Sequence, residues 1–171
     1  MRITLGHSAG GHGVDVVETD ATNCMNLPAE AMEMEAPIRI HRVALRRDSG
    51  GAGKFRGGLG TVREYEILAG EVSFSHRGER HFSAAAGSAG GGQGAKARSL
   101  IRRADGRLEE IPSKIVTTLR KGDRVVVETA GGGGYGHSRE RSAARVEADV
   151  RDGKVSPEMA KRLYRSGAGS D

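Results

Sequence analysis

Asp48-Ser49-Gly50-Gly51-Ala52-Gly53-Lys54-Phe55-Arg56-Gly57-Gly58-Leu59-Gly60 decides how the chain is read, because six of these thirteen residues are glycine. Before it, Ile38 to Leu45 alternates apolar and polar residues, and after it Thr61 to Leu68 does the same. A period of two predicts half-buried strands. Glycine takes backbone angles that other residues reach only at a cost. The pattern therefore predicts two strands joined by a long, shaped connection instead of a tight hairpin turn. Such a loop can cradle a phosphate or carboxylate with its N–H groups, aided by Lys54 and Arg56. It can equally be a place where backbone packs on backbone, or a subunit contact. It is neither a P-loop nor a dinucleotide fingerprint. Phe55 stands where a P-loop needs Ser or Thr for its metal, and the next segment reads as strand, not helix.

Working outward, Glu71 to His76 alternates again, with Val72, Phe74 and His76 on one side. Leu100 to Arg103 and Leu108 to Ile111 flank Asp105-Gly106, a strong hairpin signal. Ile115 to Leu119 and Arg124 to Thr129 flank Lys121-Gly122-Asp123 and read as a second hairpin in series. Two further glycine-rich loops stand out, Ser83 to Ala97 and Gly131 to Gly136. Toward the N-terminus, Asn26 can cap a short helix that begins near Pro28 and carries Glu30 and Glu33 on one face. Such a carboxylate pair suits a divalent metal or acid/base work, and equally suits helix-terminus electrostatics. Toward the C-terminus, Ala143, Val146 and Val150 share a helical face that ends at Asp152-Gly153. Ser156-Pro157 then opens another helix, with Ser156 as cap. The prediction is an α+β fold: a β-rich antiparallel assembly with long glycine-rich loops and two C-terminal helices. Residues 1–171 are read as one domain, with a loop-like entry at 1–17, a β-rich body at 18–130 and a helical end at 138–166.

Composition narrows the function classes. Glycine makes up 27 of 171 residues, about twice the ordinary ~7% share. With three Phe, three Tyr and no Trp, there is little large apolar material for an independent core, which suggests a piece that packs on something else. The charge of +5 is spread along the chain. The Arg56-Gly57-Gly58 triplet invites an RNA-binding reading, but scarce aromatic stacking platforms and interspersed charges count against nucleic acid. Cys24 is the only cysteine, so no internal disulfide can form, which suits a reducing cytoplasm. No apolar run approaches the ~18 residues of a membrane span. His7 and His12 lie on glycine-rich backbone without a carboxylate at helical spacing, a weak basis for a metal site. Cys24 has no partner histidine that spacing identifies and reads as a small buried thiol. Arg77, Arg80 and His81 form a local cationic cluster, able to hold an anion or to pair with carboxylates such as Glu79.

Several ordered motifs together resemble the C-terminal part of the hydantoinase B/oxoprolinase family. They are Thr22-Asn23-Cys24-Met25-Asn26-Leu27-Pro28-Ala29-Glu30-Ala31-Met32-Glu33, the Asp48 to Gly60 stretch, Arg63-Glu64-Tyr65, Gly90-Gly91, Pro112-Ser113-Lys114, Gly122-Asp123 and Thr129 to Gly136. Asp149-Val150, Gly153 and Val155-Ser156 extend the match toward the end. The resemblance implies an ATP-dependent enzyme that opens cyclic amides such as hydantoins or 5-oxoproline, or a relative that carboxylates ketones. It implies ATP and a divalent metal in the assembled complex, bound mainly by other subunits or domains, with no metal in this chain. The implied partners are an ATP-binding A-type subunit and the remainder of a B-type subunit, in a hetero-oligomer. Family B subunits are several times longer, and their His/Asp metal motifs lie outside the part matched here. The chain is accordingly expected to be a small subunit or a C-terminal fragment of a hydantoinase/5-oxoprolinase-type hydrolase, inactive alone. The alternative is a non-catalytic assembly module of a related ketone carboxylase. Catalytic residues are not assigned. The candidates for lining a shared site or an interface are Asn23, Glu30, Glu33, Ser49, Gly50, Gly51, Arg56, Gly57, Gly58, Arg80 and Tyr135.

Overall fold

In the computed structural model, which describes residues 11–16 and 27–164, the alternating segments form strands as their period requires. β1 (Ile38–Leu45) and β2 (Thr61–Ile67) pair antiparallel, with Leu45 opposite Thr61 and Ile38 opposite Ile67, across the long glycine loop. The register shifts between Ile40 and Arg42. β3 (Glu71–Arg77), β4 (Arg98–Arg102), β5 (Leu108–Glu110), β6 (Lys114–Arg120) and β7 (Arg124–Glu128) follow. They build a five-stranded antiparallel sheet in the order β1-β2-β7-β4-β5 and a two-stranded sheet, β3-β6. α1 (Ala29–Glu35) precedes β1; α2 (Ala143–Arg151) and α3 (Pro157–Leu163) close the described chain. The α+β class and the antiparallel sheets match the sequence reading.

Lys121-Gly122-Asp123 does turn, but not into a hairpin. β6 pairs with β3, whereas β7 lies between β2 and β4. The reason is a corner. Ile67 N–H donates to the Asp123 carbonyl at 2.9 Å, Gly122 N–H to Ile67 at 2.8 Å and Lys121 N–H to Gly70 at 3.2 Å. The turn between β2 and β3 thus stacks on the turn between β6 and β7, and the two-strand ribbon folds from one sheet onto the other. The Asp123 carboxylate holds the corner, accepting from Ala104 N–H at 2.9 Å, Arg120 N–H at 3.0 Å and Arg103 Nη1 at 3.0 Å. The crease buries Ile67, Ile101, Ile111, Leu119 and Val125, with Val72, Phe74 and Ile115 packed against them. Alternation fixes which residues face this core, but it does not fix which neighbour a strand chooses.

The helices follow their local signals. Ser156 caps α3, its hydroxyl accepting from Met159 N–H at 3.2 Å behind Pro157. Gly153, at φ +70°, ends the α2 segment as expected. Pro28 occupies the cap position of α1. Asn26 lies outside the described residues, as do Asn23, Cys24, His7, the strand expected at Arg2 to Leu5 and the tail after Tyr164.

Candidate functional site

The three glycine loops, distant in sequence, meet in one seam. Gly51 N–H donates to Gly132 at 2.8 Å, Gly132 to Gly58 at 2.9 Å, Gly134 to Gly92 at 2.9 Å and Gly92 to Ala52 at 2.7 Å. Ala95 N–H reaches the Ser49 carbonyl at 2.8 Å, while Phe55 and Tyr135 exchange a reciprocal pair at 3.0 Å. Backbone lies so close to backbone that side chains have no room. A Cβ on Gly131 would sit 1.8 Å from the Ser49 carbonyl oxygen, and one on Gly57 2.1 Å from that of Gly132. The Ser49 hydroxyl clasps the loop, donating to Arg46 O and accepting from Gly60 N–H at 3.0 Å. A phosphate cradle needs outward-facing N–H groups. Those of Gly51, Lys54, Phe55, Gly57 and Gly60 are already bonded within the seam. Lys54 pairs with Glu140 at 3.5 Å.

Arg56 leaves this seam sideways into a buried ionic cluster. It is 3% exposed and meets Asp15 through Nη1 at 3.2 Å and Nη2 at 3.4 Å, and Asp149 through Nε at 3.5 Å. Arg141, also buried, donates to Asp149 at 2.5 Å, to Lys54 O at 3.2 Å and toward His12 Nδ1 at 3.1 Å. Partial burial raises the Asp15 carboxyl, but Leu59 N–H, the Arg56 guanidinium and Lys154 outweigh it and hold the pKa below the ordinary range. His12 is lowered by lost hydration and then by Arg141 and Arg145. The cluster ties α2 and the N-terminal segment to the seam.

The third feature is a cleft of about 790 Å³ between the sheets. Its floor is apolar, with Ile38, Tyr65, Ile67, Val72 and Phe74 among its walls, and one end is polar. There His76 Nε2 and His81 Nε2 lie 3.1 and 3.3 Å from the Ser99 hydroxyl. One hydroxyl between two imidazoles can donate to one Nε2 and accept from the other, while the buried His81 Nδ1 has no hydrogen-bond partner. Burial and then neighbouring His81 lower the His76 pKa, keeping the ring neutral. Ser99 is fully buried and so positions the histidines; no substrate reaches it as a nucleophile. Arg80 lies in the left-handed region at φ +64°, unusual outside glycine, and its turn swings His81 back over Ser99. A Cβ at Gly78 would lie 2.5 Å from His81 Cε1, so a side chain there would displace the ring.

This chain has well-defined relatives. The family model for hydantoinase B/oxoprolinase matches residues 2–138. The chain belongs to the hydantoinase B/oxoprolinase family. Within that family it is 39% identical to the caprolactamase beta subunit of Pseudomonas jessenii over 79% of its own length and 24% of the relative's. It is 31% identical to the 5-oxoprolinase of Dictyostelium discoideum, covering 73% of this chain and 10% of that one. The crystal structure of ATP-dependent caprolactamase from Pseudomonas jessenii superposes with a TM-score of 0.72 at 32% identity, over 96% of this chain and 30% of that chain. Nucleotide-free acetone carboxylase shares the fold, with a TM-score of 0.80 at 21% identity over 95% of this chain and 26% of that one. The chain spans about a quarter or less of the length of these two curated relatives.

The described site candidates of this hydantoinase B-type chain separate into four places. Ser49, Gly50, Gly51, Gly57, Gly58 and Tyr135 belong to the seam, and Arg56 to the ionic cluster beside it. Arg80 lines the cleft and donates to Ala84 O at 3.3 Å. Glu33 is exposed and accepts from Ile40 N–H at 2.7 Å, near the shift in the β1 register; Glu30 is exposed on α1. Sequence reading missed Asp15, Arg141, Asp149, His76 and Ser99 as a set. The one signal was buried-type alternation placing His76 with Val72 and Phe74. The donor sets do not fit the cofactors that the family implies. Among the described residues no three or more His, Cys, Asp or Glu side chains gather to hold a metal ion, and the bonded seam N–H groups present no nucleotide cradle.

Proposed function

We propose that this chain supplies one wall of the substrate-facing part of an ATP-dependent enzyme that opens a cyclic amide. It would act as one unit with an ATP-binding A-type subunit and the rest of a B-type subunit, which hold the nucleotide and any metal. The observation that carries this is the 39% identity to the caprolactamase beta subunit. The cleft supports it chemically. An apolar floor suits the hydrocarbon part of a lactam ring, and Arg80 and His81, both on the cleft wall, can meet its amide oxygen. The compartment we assign is the cytoplasm, on the sole cysteine, Cys24; no helix among the described residues is long and apolar enough to cross a membrane.

The test is co-expression with the A-type and longer B-type proteins, followed by size-exclusion and ATP-dependent lactam hydrolysis. His81→Ala is expected to leave co-elution intact and lower turnover at least about tenfold, the range for losing one positioned polar group. Full activity in that variant, or failure of the wild-type chain to co-elute, sinks the reading. The second reading, an assembly module of a ketone carboxylase, is favoured by the close fold match to acetone carboxylase. It predicts co-elution, ATP use that depends on ketone and bicarbonate, and indifference to His81→Ala.

A further inference from the structure

The ionic cluster beside the seam lines an open hollow of about 390 Å³ whose charges do not balance. Four cations line it, Arg56, Arg141, Arg145 and Lys154, against two carboxylates, Asp15 and Asp149. His12 makes the imbalance local. Its Nδ1 lies 3.1 Å from Arg141 Nη1 and its Nε2 3.1 Å from Arg145 Nη1. A neutral imidazole has one accepting nitrogen, and a guanidinium only donates. One of the two contacts therefore sets N–H against N–H, and a protonated ring would make both so. Arg141 Nε has no hydrogen-bond partner although its side chain is almost wholly buried, and Arg56 Nε has only the 3.5 Å ion pair to Asp149. No carboxylate pairs with Arg145 among the described residues, while Asp15 and Asp149 are engaged by Arg56, Arg141 and Lys154.

We propose that this cavity is an oxyanion site for inorganic phosphate or the phosphate group of a small molecule. A phosphate oxygen only accepts. Placed between Arg145, Arg141 and the ring N–H of His12, it replaces a donor–donor contact with charge-assisted hydrogen bonds and offsets the surplus positive charge. The site is separate from the cleft and does not depend on the cyclic-amide reading.

Calorimetric titration of the purified chain with inorganic phosphate, at ionic strength fixed by chloride, tests this. The wild type should show saturable binding at one site. Arg145→Ala should weaken it about tenfold or more, the loss of one hydrogen bond to a charged group. Arg151→Ala removes the same charge from α2 outside the cavity and should leave the affinity within about twofold. NMR titration of the His12 ring should show phosphate raising its pKa. No saturable binding, an unmoved His12, or equal weakening by the two arginine variants overturns the site. A titration with a phosphate monoester separates the two sources: tighter binding than inorganic phosphate identifies the group on a small molecule, equal or weaker binding the free ion. If phosphate binding vanishes on assembly with partner subunits and Arg145→Ala weakens that assembly, a protein carboxylate fills the cavity and the small-anion proposal fails.

Discussion

The seam and the sheet core hold the chain together by opposite means. Between the sheets, Ile67, Ile101, Ile111, Leu119 and Val125 exclude water with side chains, and the backbone stands off at ordinary sheet distances. In the seam Leu59 is buried, but most loop residues offer no large apolar side chain. Cohesion comes from main-chain hydrogen bonds between loops at 49–60, 85–97 and 129–136, which approach only because Cβ atoms are missing. A chain poor in large apolar residues thus has a second kind of interior, and its high glycine content is explained by contact, not by flexibility. The difference predicts unlike responses to adding and to removing atoms.

The largest effect should come from adding one methyl group to the seam. Gly131→Ala would drive a Cβ to 1.8 Å from Ser49 O. We expect a loss above about 4 kcal/mol, or no folding, read from urea unfolding. The matched control is Gly106→Ala in the β4–β5 turn. There φ is +87° but nothing lies within 4 Å of the added atom, so only the backbone angle is strained, at about 1 kcal/mol. Similar losses in the two variants would mean that conformational freedom, not space, governs both regions. Next in size is subtraction from the core. Ile101→Ala, at a fully buried position, should cost about 3 kcal/mol. A loss under about 1 kcal/mol would show that the crease between the sheets collapses or is already loose.

The smallest effect near neutrality is electrostatic, and it too divides by region. Asp15 beside the seam and Asp123 at the sheet corner both have carboxyl pKa values below the ordinary range, because hydrogen bonds and arginines outweigh burial. A folded pKa depressed below the unfolded value of about 3.9 stabilises the fold fully above that pH. The contribution is lost as pH falls toward and through the folded pKa. Urea midpoints should therefore decline gently below about pH 6.5, where the unfolded chain takes up protons that His12 and His76 resist in the fold, and drop further below about pH 4 as the carboxylates protonate. Asp15→Asn should remove one part of that drop and Asp123→Asn another. Acid limbs parallel to the wild type in both variants would separate these carboxylates from acid unfolding.

Much of the fold was legible because its signals are local. Alternation located β1 and β2, Asp105-Gly106 located the β4–β5 hairpin, and Ser156-Pro157 located the start of α3. The β6–β7 hairpin was misread for the same reason. Lys121-Gly122-Asp123 specifies a turn, while the partner of β6 is decided by β2 and β4 already flanking β7 and by Asp123 gripping Ala104 and Arg103. The glycine stretches were legible as places of close approach, but not as approaches to one another. The ionic cluster was not legible: Asp15, Arg56 and the Arg141–Asp149 pair are separated by long spans and carry no common period. His76 was placed on an apolar face, yet its link to Ser99 and His81 depends on a left-handed Arg80 that nothing in the sequence marks.

The seam also sets an order of events during synthesis. The first glycine loop leaves the ribosome with many of its carbonyls and N–H groups unpaired, since their partners lie near residues 92 and 132. The β1–β2 pair can form at once from neighbouring chain, but that loop stays open to water and proteases until Gly131 to Gly136 emerges. Closure of so long a span is entropically costly, and it cannot complete before every strand of both sheets has been synthesised. The nascent chain therefore exposes this segment early and can cover it only once residues 131–136 have emerged.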